Sequence, residues 1–90
     1  MAYDMDKARR VLCALREIRI DWFEEPVESF ADMQRLRTEF TIPLSTHCTD
    51  TEKLSSYPAV EGVVGDLHLQ GGLLGVRRAA AAIRALGRRF

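Results

Sequence analysis

Three residues in this 90-residue chain have the chemistry and the spacing to work together: Glu24, His47 and Asp66. A carboxylate, an imidazole and a second carboxylate facing one cavity can hold a divalent cation or move a proton. Each belongs to the end of a short β-branched or aromatic run. Ile20-Asp21-Trp22-Phe23 leads into Glu24, Thr41-Ile42-Pro43-Leu44-Ser45-Thr46 leads into His47, and the run from Val60 to Leu67 contains Asp66. Alternate side chains of a strand share a face. That rule groups Trp22 with Glu24, opposite Phe23 and Glu25; it groups Ser45 with His47, and Asp66 with His68. Adjacent parallel strands would then carry Glu24, His47 and Asp66 as a polar row across three strand ends.

Each of these residues also has a plainer use. Glu24 and Glu25 precede a helix and favour its positive N-terminal end. His47 reads equally well as a loop histidine. Asp66 reads equally well as a loop residue that accepts backbone N–H bonds near the Gly71-Gly72 turn. His68 reads as structural, with substrate binding as its candidate role. Gly71-Gly72 at a helix start suits an anion, but a tight turn is the simpler use. The Ala79–Ala82 run is a closely packed helix face. Arg77, Arg78, Arg84, Arg88 and Arg89 form a solvated face, because the overall charge is balanced. Cys13 and Cys48 are read as reduced thiols, one of them filling the core; with no C-x-x-C pair, spacing gives no support to a zinc site.

The elements that must position the row alternate along the chain. From Asp4 to Ile18, Met5, Ala8, Val11, Leu12, Leu15 and Ile18 recur at three- and four-residue steps, which predicts a helix. The first strand follows and ends at Pro26. Ser29-x-x-Asp32 resembles a capping box and opens a helix with Phe30, Met33, Leu36 and Phe40 along one face. After the second strand, Thr49-x-x-Glu52 is a better capping box, opening a short helix that contains Leu54 and stops before Pro58. The third strand spans Val60 to Leu67. A last helix runs from about Leu73 to Leu86, with Val76, Ala79, Ala80, Ile83 and Leu86 inward and Gly87 as its C-terminal stop. The strands begin near residues 22, 43 and 63, a spacing of 21 and then 20. Short strands alternating with helices imply parallel pairing with right-handed crossovers.

The expected fold class is therefore α/β in the order α-β-α-β-α-β-α. A doubly wound sheet usually carries a glycine-rich loop after its first strand. Here that loop is Glu24-Glu25-Pro26-Val27-Glu28, which would repel a phosphate. Polar residues sit instead at the C-terminal strand ends, where (β/α) barrels keep their chemistry. The composition is 47% hydrophobic and 29% charged, with 13 basic and 13 acidic residues. Zero net charge removes the electrostatic case for a nucleic-acid partner. No apolar run approaches the roughly 20 residues needed to span a bilayer. Met1-Ala2-Tyr3-Asp4 is acidic with no apolar stretch behind it, so no signal peptide is expected and the cytoplasm is the expected location.

Asp21-Trp22-Phe23-Glu24-Glu25-Pro26-Val27 is similar to the W-[FIY]-E-[ED]-P segment of the enolase superfamily, in its mandelate racemase and muconate lactonizing branch. Phe40-Thr41-Ile42-Pro43-Leu44 resembles the next strand entry of that family. Val63-Val64-Gly65-Asp66-Leu67-His68 resembles the strand after it, and Gln70-Gly71-Gly72-Leu73 resembles the G-G-[IL] helix opening. The four segments occur in the family's order, and the resemblance covers nearly the whole chain, from about Asp4 to Gly87. Pro43-Leu44-Ser45-Thr46-His47 and Gly65-Asp66-Leu67-His68 lean toward the sugar-acid dehydratases of the glucarate-dehydratase type.

The resemblance implies a Mg²⁺ cofactor, with Glu24 in the place of one metal ligand. It implies that Asp66 orients a catalytic histidine carried by a following strand. His47 falls where the dehydratases have an asparagine metal ligand, so metal binding and proton transfer to a leaving hydroxyl both stay open for it. A hard cation prefers oxygen to imidazole nitrogen. Residues 1–90 are then expected to be a contiguous piece of a barrel domain: about three β/α units with a leading helix, inactive alone. The implied parent removes the proton next to the carboxylate of a sugar acid and eliminates water; racemisation and cycloisomerisation are the related alternatives. A non-catalytic α/β domain that self-associates through exposed sheet edges is the competing reading. In it the inward residues Trp22, Leu44 and Val64 would be wet.

Overall fold

The computed structural model describes residues 2–90. Helix α1 spans Met5–Ala14, strand β1 Phe23–Glu24, α2 Phe30–Glu39, β2 Leu44–Thr46, α3 Thr51–Ser55, β3 Val60–Val63 and α4 Gly72–Ala85. The strands form one parallel sheet in the order β1-β2-β3. Phe23 pairs with Leu44 and Glu24 with Ser45; Thr46 pairs with Val63. This is a partial (β/α) barrel, with the expected element order and parallel strands.

The helices cover one face of the sheet. Ala8 and Leu12 of α1, Phe30, Met33 and Leu36 of α2, Leu54 of α3 and Ile83 of α4 meet Leu44, Val60 and Val63 in one buried cluster. Each large aliphatic side chain buried there contributes roughly 1.5–3 kcal/mol. Helix starts follow local chemistry. Asp4 caps α1 by accepting the Lys7 N–H at 2.8 Å, and the Ser29 hydroxyl caps α2 by accepting the Asp32 N–H at 3.1 Å. Gly87 follows α4 in the left-handed conformation.

Several boundaries differ from the sequence expectation. Helix α1 stops at Ala14, short of the expected Ile18, which is 57% exposed. The α3 cap is Asp50, accepting the Lys53 N–H at 3.1 Å, one residue beyond the expected Thr49. Asp32 does not complete a capping box; its carboxylate faces Arg35 at 3.5 Å. Leu44 is not wet. It is 1% exposed and belongs to the helix-side core, so its neighbour Ser45 takes the inner face beside Trp22 and Glu24.

The third strand is shorter than expected. It ends at Val63, and although the Val64 N–H still reaches the Thr46 carbonyl at 2.8 Å, residues 67–71 form turns. Asp66 and His68 therefore do not share a strand face. The outer edge of β3 is partly covered: Arg89 bridges Gly62 in parallel, donating to the Glu61 carbonyl at 3.1 Å and accepting from the Val63 N–H at 2.9 Å.

Leu36 is fully buried between α2 and the sheet. Leu36→Ala is expected to lower unfolding stability by about 2–5 kcal/mol, while Arg77→Ala on the exposed side of α4 stays within about 0.5 kcal/mol. Urea denaturation followed by circular dichroism checks both.

Candidate functional site

Glu24 and His47 meet at the C-terminal strand ends. The Glu24 Oε1 lies 2.9 Å from His47 Nε2, a hydrogen-bond length with the ring nitrogen donating to the carboxylate. Pairing of β1 with β2 sets this contact, because the register places Glu24 beside Ser45, two residues before His47. Both side chains are partly exposed and line a cleft of about 360 Å³ with Ala2, Glu25 and Glu28.

Glu25 is the residue that strand alternation misplaces. Its φ is +43°, in the left-handed region that a side-chain-bearing residue rarely enters. A residue before proline ordinarily prefers extended backbone. The turn bends the Glu25 side chain back over the end of β2. There its Oε1 accepts from the Thr46 hydroxyl at 2.8 Å and the His47 N–H at 2.8 Å, and lies 3.6 Å from His47 Nδ1. Its own N–H donates to the Ser45 carbonyl at 2.9 Å. Such strain costs on the order of 1–3 kcal/mol, and hydrogen bonds to a charged acceptor, worth about 1.5–3 kcal/mol each, offset it. Thr46 is buried and its hydroxyl also accepts the Cys48 N–H at 3.1 Å. Burial pushes the Glu25 carboxyl up, but the His47 N–H, the Thr46 hydroxyl and the His47 ring together hold it below the ordinary glutamate value.

Asp66 stands apart from this cluster. Its Oδ1 accepts the His68 N–H at 2.9 Å and the Leu69 N–H at 3.0 Å, so it organises the turn after β3. The Leu69 N–H is the largest cause that holds its carboxyl below the ordinary aspartate value; the His68 N–H and the His47 and His68 rings add to it, against a partial desolvation. His68 is exposed in that turn. The plainer reading of Asp66 thus describes its contacts. Gln70 ties the loop to the site: its Nε2 donates to the Val64 carbonyl at 3.1 Å and the His47 carbonyl at 3.4 Å, and its Oε1 accepts the Asp66 N–H at 3.1 Å. The following helix turn presses close against Gln70, where a Cβ on Gly75 would lie 1.6 Å from the Gln70 carbonyl oxygen.

The structure therefore joins Glu24 and His47, adds Glu25, and leaves Asp66 and His68 on a neighbouring loop. Two adjacent carboxylates at a strand end were visible in the sequence, but only a backbone reversal lets both reach one imidazole. Gln70 stood in the sequence only as the residue leading into the Gly71-Gly72 helix opening, with no sign of its bonds to Val64, His47 and Asp66.

These donors do not fit Mg²⁺ as a set. Glu24 is engaged by an imidazole, Glu25 by Thr46 and His47, and Asp66 by its own turn. Among the described residues, no three His, Cys, Asp or Glu side chains are arranged to hold a metal ion. Cys13 is exposed and Cys48 packs against the core, both as free thiols. No helix among the described residues is long and apolar enough to cross a membrane.

A family model described as "Enolase C-terminal domain-like" matches residues 1–90. Solved structures share the fold. An isomerase from Streptomyces coelicolor is 25% identical, with a TM-score of 0.77 over 93% of this chain and 24% of its own. An enolase from Mycobacterium smegmatis complexed with tartrate is 21% identical, with a TM-score of 0.77 over 96% of this chain and 22% of its own. An L-talarate dehydratase from Polaromonas sp. JS666, complexed with Mg and L-glucarate, is 19% identical, with a TM-score of 0.73 over 96% of this chain and 25% of its own. The chain thus spans about a quarter of the length of these structures. No curated protein matches it.

The lowered Glu25 carboxyl gives a pH signature. A carboxyl whose folded pKa lies below its unfolded one adds stability above the unfolded pKa, and that stability is lost as pH falls through the folded value. Unfolding free energy is expected to drop as pH falls below about 4.3, and to drop less in Glu25→Gln, which lacks this titration. Urea denaturation at stepped pH compares the two; equal pH slopes contradict the assignment.

Proposed function

The chain belongs to the enolase C-terminal domain-like family, and from that premise we propose that it is a contiguous piece of the barrel of a proton-abstracting lyase acting on a small carboxylate. Within that class the reading is elimination of water from a sugar acid. The observation that carries it is the His47 imidazole set between Glu24 and Glu25 at the C-terminal strand ends, the rim where barrel enzymes keep their chemistry. Support for the substrate class comes from the printed ligands of two structures of like fold, tartrate in one and L-glucarate in the other.

Removal of the proton next to a carboxylate is difficult because negative charge accumulates on an already charged group. Loss of a hydroxyl from the neighbouring carbon relieves that charge, provided a group hands the departing oxygen a proton. His47 is the group in this chain suited to that transfer. Its backbone N–H is anchored on Glu25, and Glu24 holds its Nε2 in place. Asp66, kept ionised by two backbone N–H bonds, is a carboxylate that can orient a second imidazole brought by a further strand. The donor set of this chain does not make a Mg²⁺ site, so oxygen ligands for a metal would have to come from elsewhere in the complete protein. On this reading the chain alone is inactive.

A second reading, self-association, is favoured by the apolar stretch that runs from the turn after β3 into the first turn of α4. Leu67, Leu69, Leu73 and Leu74 are 57–78% exposed on one short stretch, and the outer side of β1 is a sheet edge.

The enzymatic reading is tested by α-proton exchange in D₂O with a sugar-acid panel and Mg²⁺, followed by proton NMR. The 90-residue chain is expected to exchange nothing. The product translated together with its adjoining coding sequence is expected to exchange the proton and release water, and His47→Ala in it to lose about 100-fold or more. Exchange by the chain alone, or full activity in the variant, overturns the reading. Sedimentation velocity tests the second: a dimer or larger species is expected, dispersed by Leu73→Lys with Leu74→Lys, and a folded monomer rules it out.

A further inference from the structure

One oxygen of the carboxylate that the resemblance puts in a metal-ligand position already has a partner. Glu24 Oε1 lies 2.9 Å from His47 Nε2. Glu25 anchors the backbone of the same residue: its Oε1 accepts the His47 main-chain N–H at 2.8 Å and stands 3.6 Å from Nδ1, a charge contact on the other side of the ring. Glu25 is in turn fixed by the Thr46 hydroxyl at 2.8 Å and by its own N–H on the Ser45 carbonyl at 2.9 Å. Gln70 holds the His47 carbonyl at 3.4 Å.

We propose that His47 occupies Glu24 Oε1 against hard divalent cations, so that this strand-end cluster, with no third ligand beside it among the described residues, disfavours Mg²⁺. To bind Glu24, Mg²⁺ would need an oxygen at about 2.0–2.1 Å and an octahedron of further oxygens. Glu24 Oε1 is in contact with a ring nitrogen, and a hard ion accepts imidazole nitrogen less readily than oxygen. The other carboxylate of the pair is committed to a hydroxyl and a backbone N–H, and among the described residues no third ligand joins them. His47 is therefore the residue that stands between Mg²⁺ and Glu24 Oε1. This inference stands on the geometry of the cluster and does not depend on the reaction proposed above.

The test uses the full 90-residue chain and MgCl₂ alone, with no substrate and no activity measurement. Titration calorimetry reads binding, and long-range ¹H–¹⁵N NMR of the imidazole reads the Glu24–His47 contact. The wild type is expected to show no saturable Mg²⁺ binding below about 1 mM, the weak end of protein sites for hard divalent cations, and His47 ring signals that Mg²⁺ leaves unmoved. His47→Asn puts an oxygen donor beside a released Glu24 and is expected to bind Mg²⁺ about tenfold tighter or more. Glu24→Gln added to that variant is expected to abolish the gain. Saturable sub-millimolar binding by the wild type with movement of the His47 signals overturns the proposal, as does a folded His47→Asn chain with no gain. Should that variant fail to fold by circular dichroism, the wild-type ring signals decide by the same criterion.

Discussion

Parallel strands in one sheet all direct their C-terminal ends the same way, and the placement of every functional side chain here follows from that geometry. With β1, β2 and β3 side by side, the segments leaving them converge on a single rim. Residues more than twenty positions apart become neighbours there, as Glu24 and His47 do at 2.9 Å. The helices matter to the site mainly as a wall. They bury Leu44, Val60 and Val63 from one side, which fixes strand register because a slip of one residue would turn those side chains outward.

The rim is held by a few polar side chains that bind backbone groups left over where the ladder ends. Glu25 takes the His47 N–H, Asp66 takes those of His68 and Leu69, and Gln70 spans the Val64 and His47 carbonyls. Backbone polar groups leaving a sheet need such partners or water. The same hydrogen bonds fix the His47 backbone and, on the inference above, restrict which cations can approach Glu24. Structural anchoring and cation selectivity are thus two consequences of one arrangement, and family membership alone does not reveal the second.

Much of the fold was readable from residue patterns because helix periodicity and helix caps are local. The buried stripe of Phe30, Met33 and Leu36 and the Ser29 cap both appear as the spacing predicts. Strand ends were read less well. Nothing local distinguishes Val63 from Val64 as the last ladder residue, and the extension of β3 to Leu67 failed where Gly65 and the Asp66 turn redirect the chain. Leu44 was assigned to the wrong face because a two-residue period does not say which phase meets the helices. The exposed leucines of the 67–74 segment were partly hidden in the sequence by that same overlong strand.

The sequence by itself determined the order of elements, the parallel α/β class and the placing of Glu24 and His47 at successive strand ends, since these depend on spacing, on local propensity and on which residues close each strand. Only the tertiary structure decided the role of Glu25. Its left-handed turn violates the alternation rule, and it persists because Thr46 and His47, on another strand, supply hydrogen bonds that offset the strain. The tertiary structure also separated Asp66 from the row, because its nearest backbone donors, His68 and Leu69, satisfy it locally. A residue's type announces what chemistry it can do; the donors that fold around it decide what remains available.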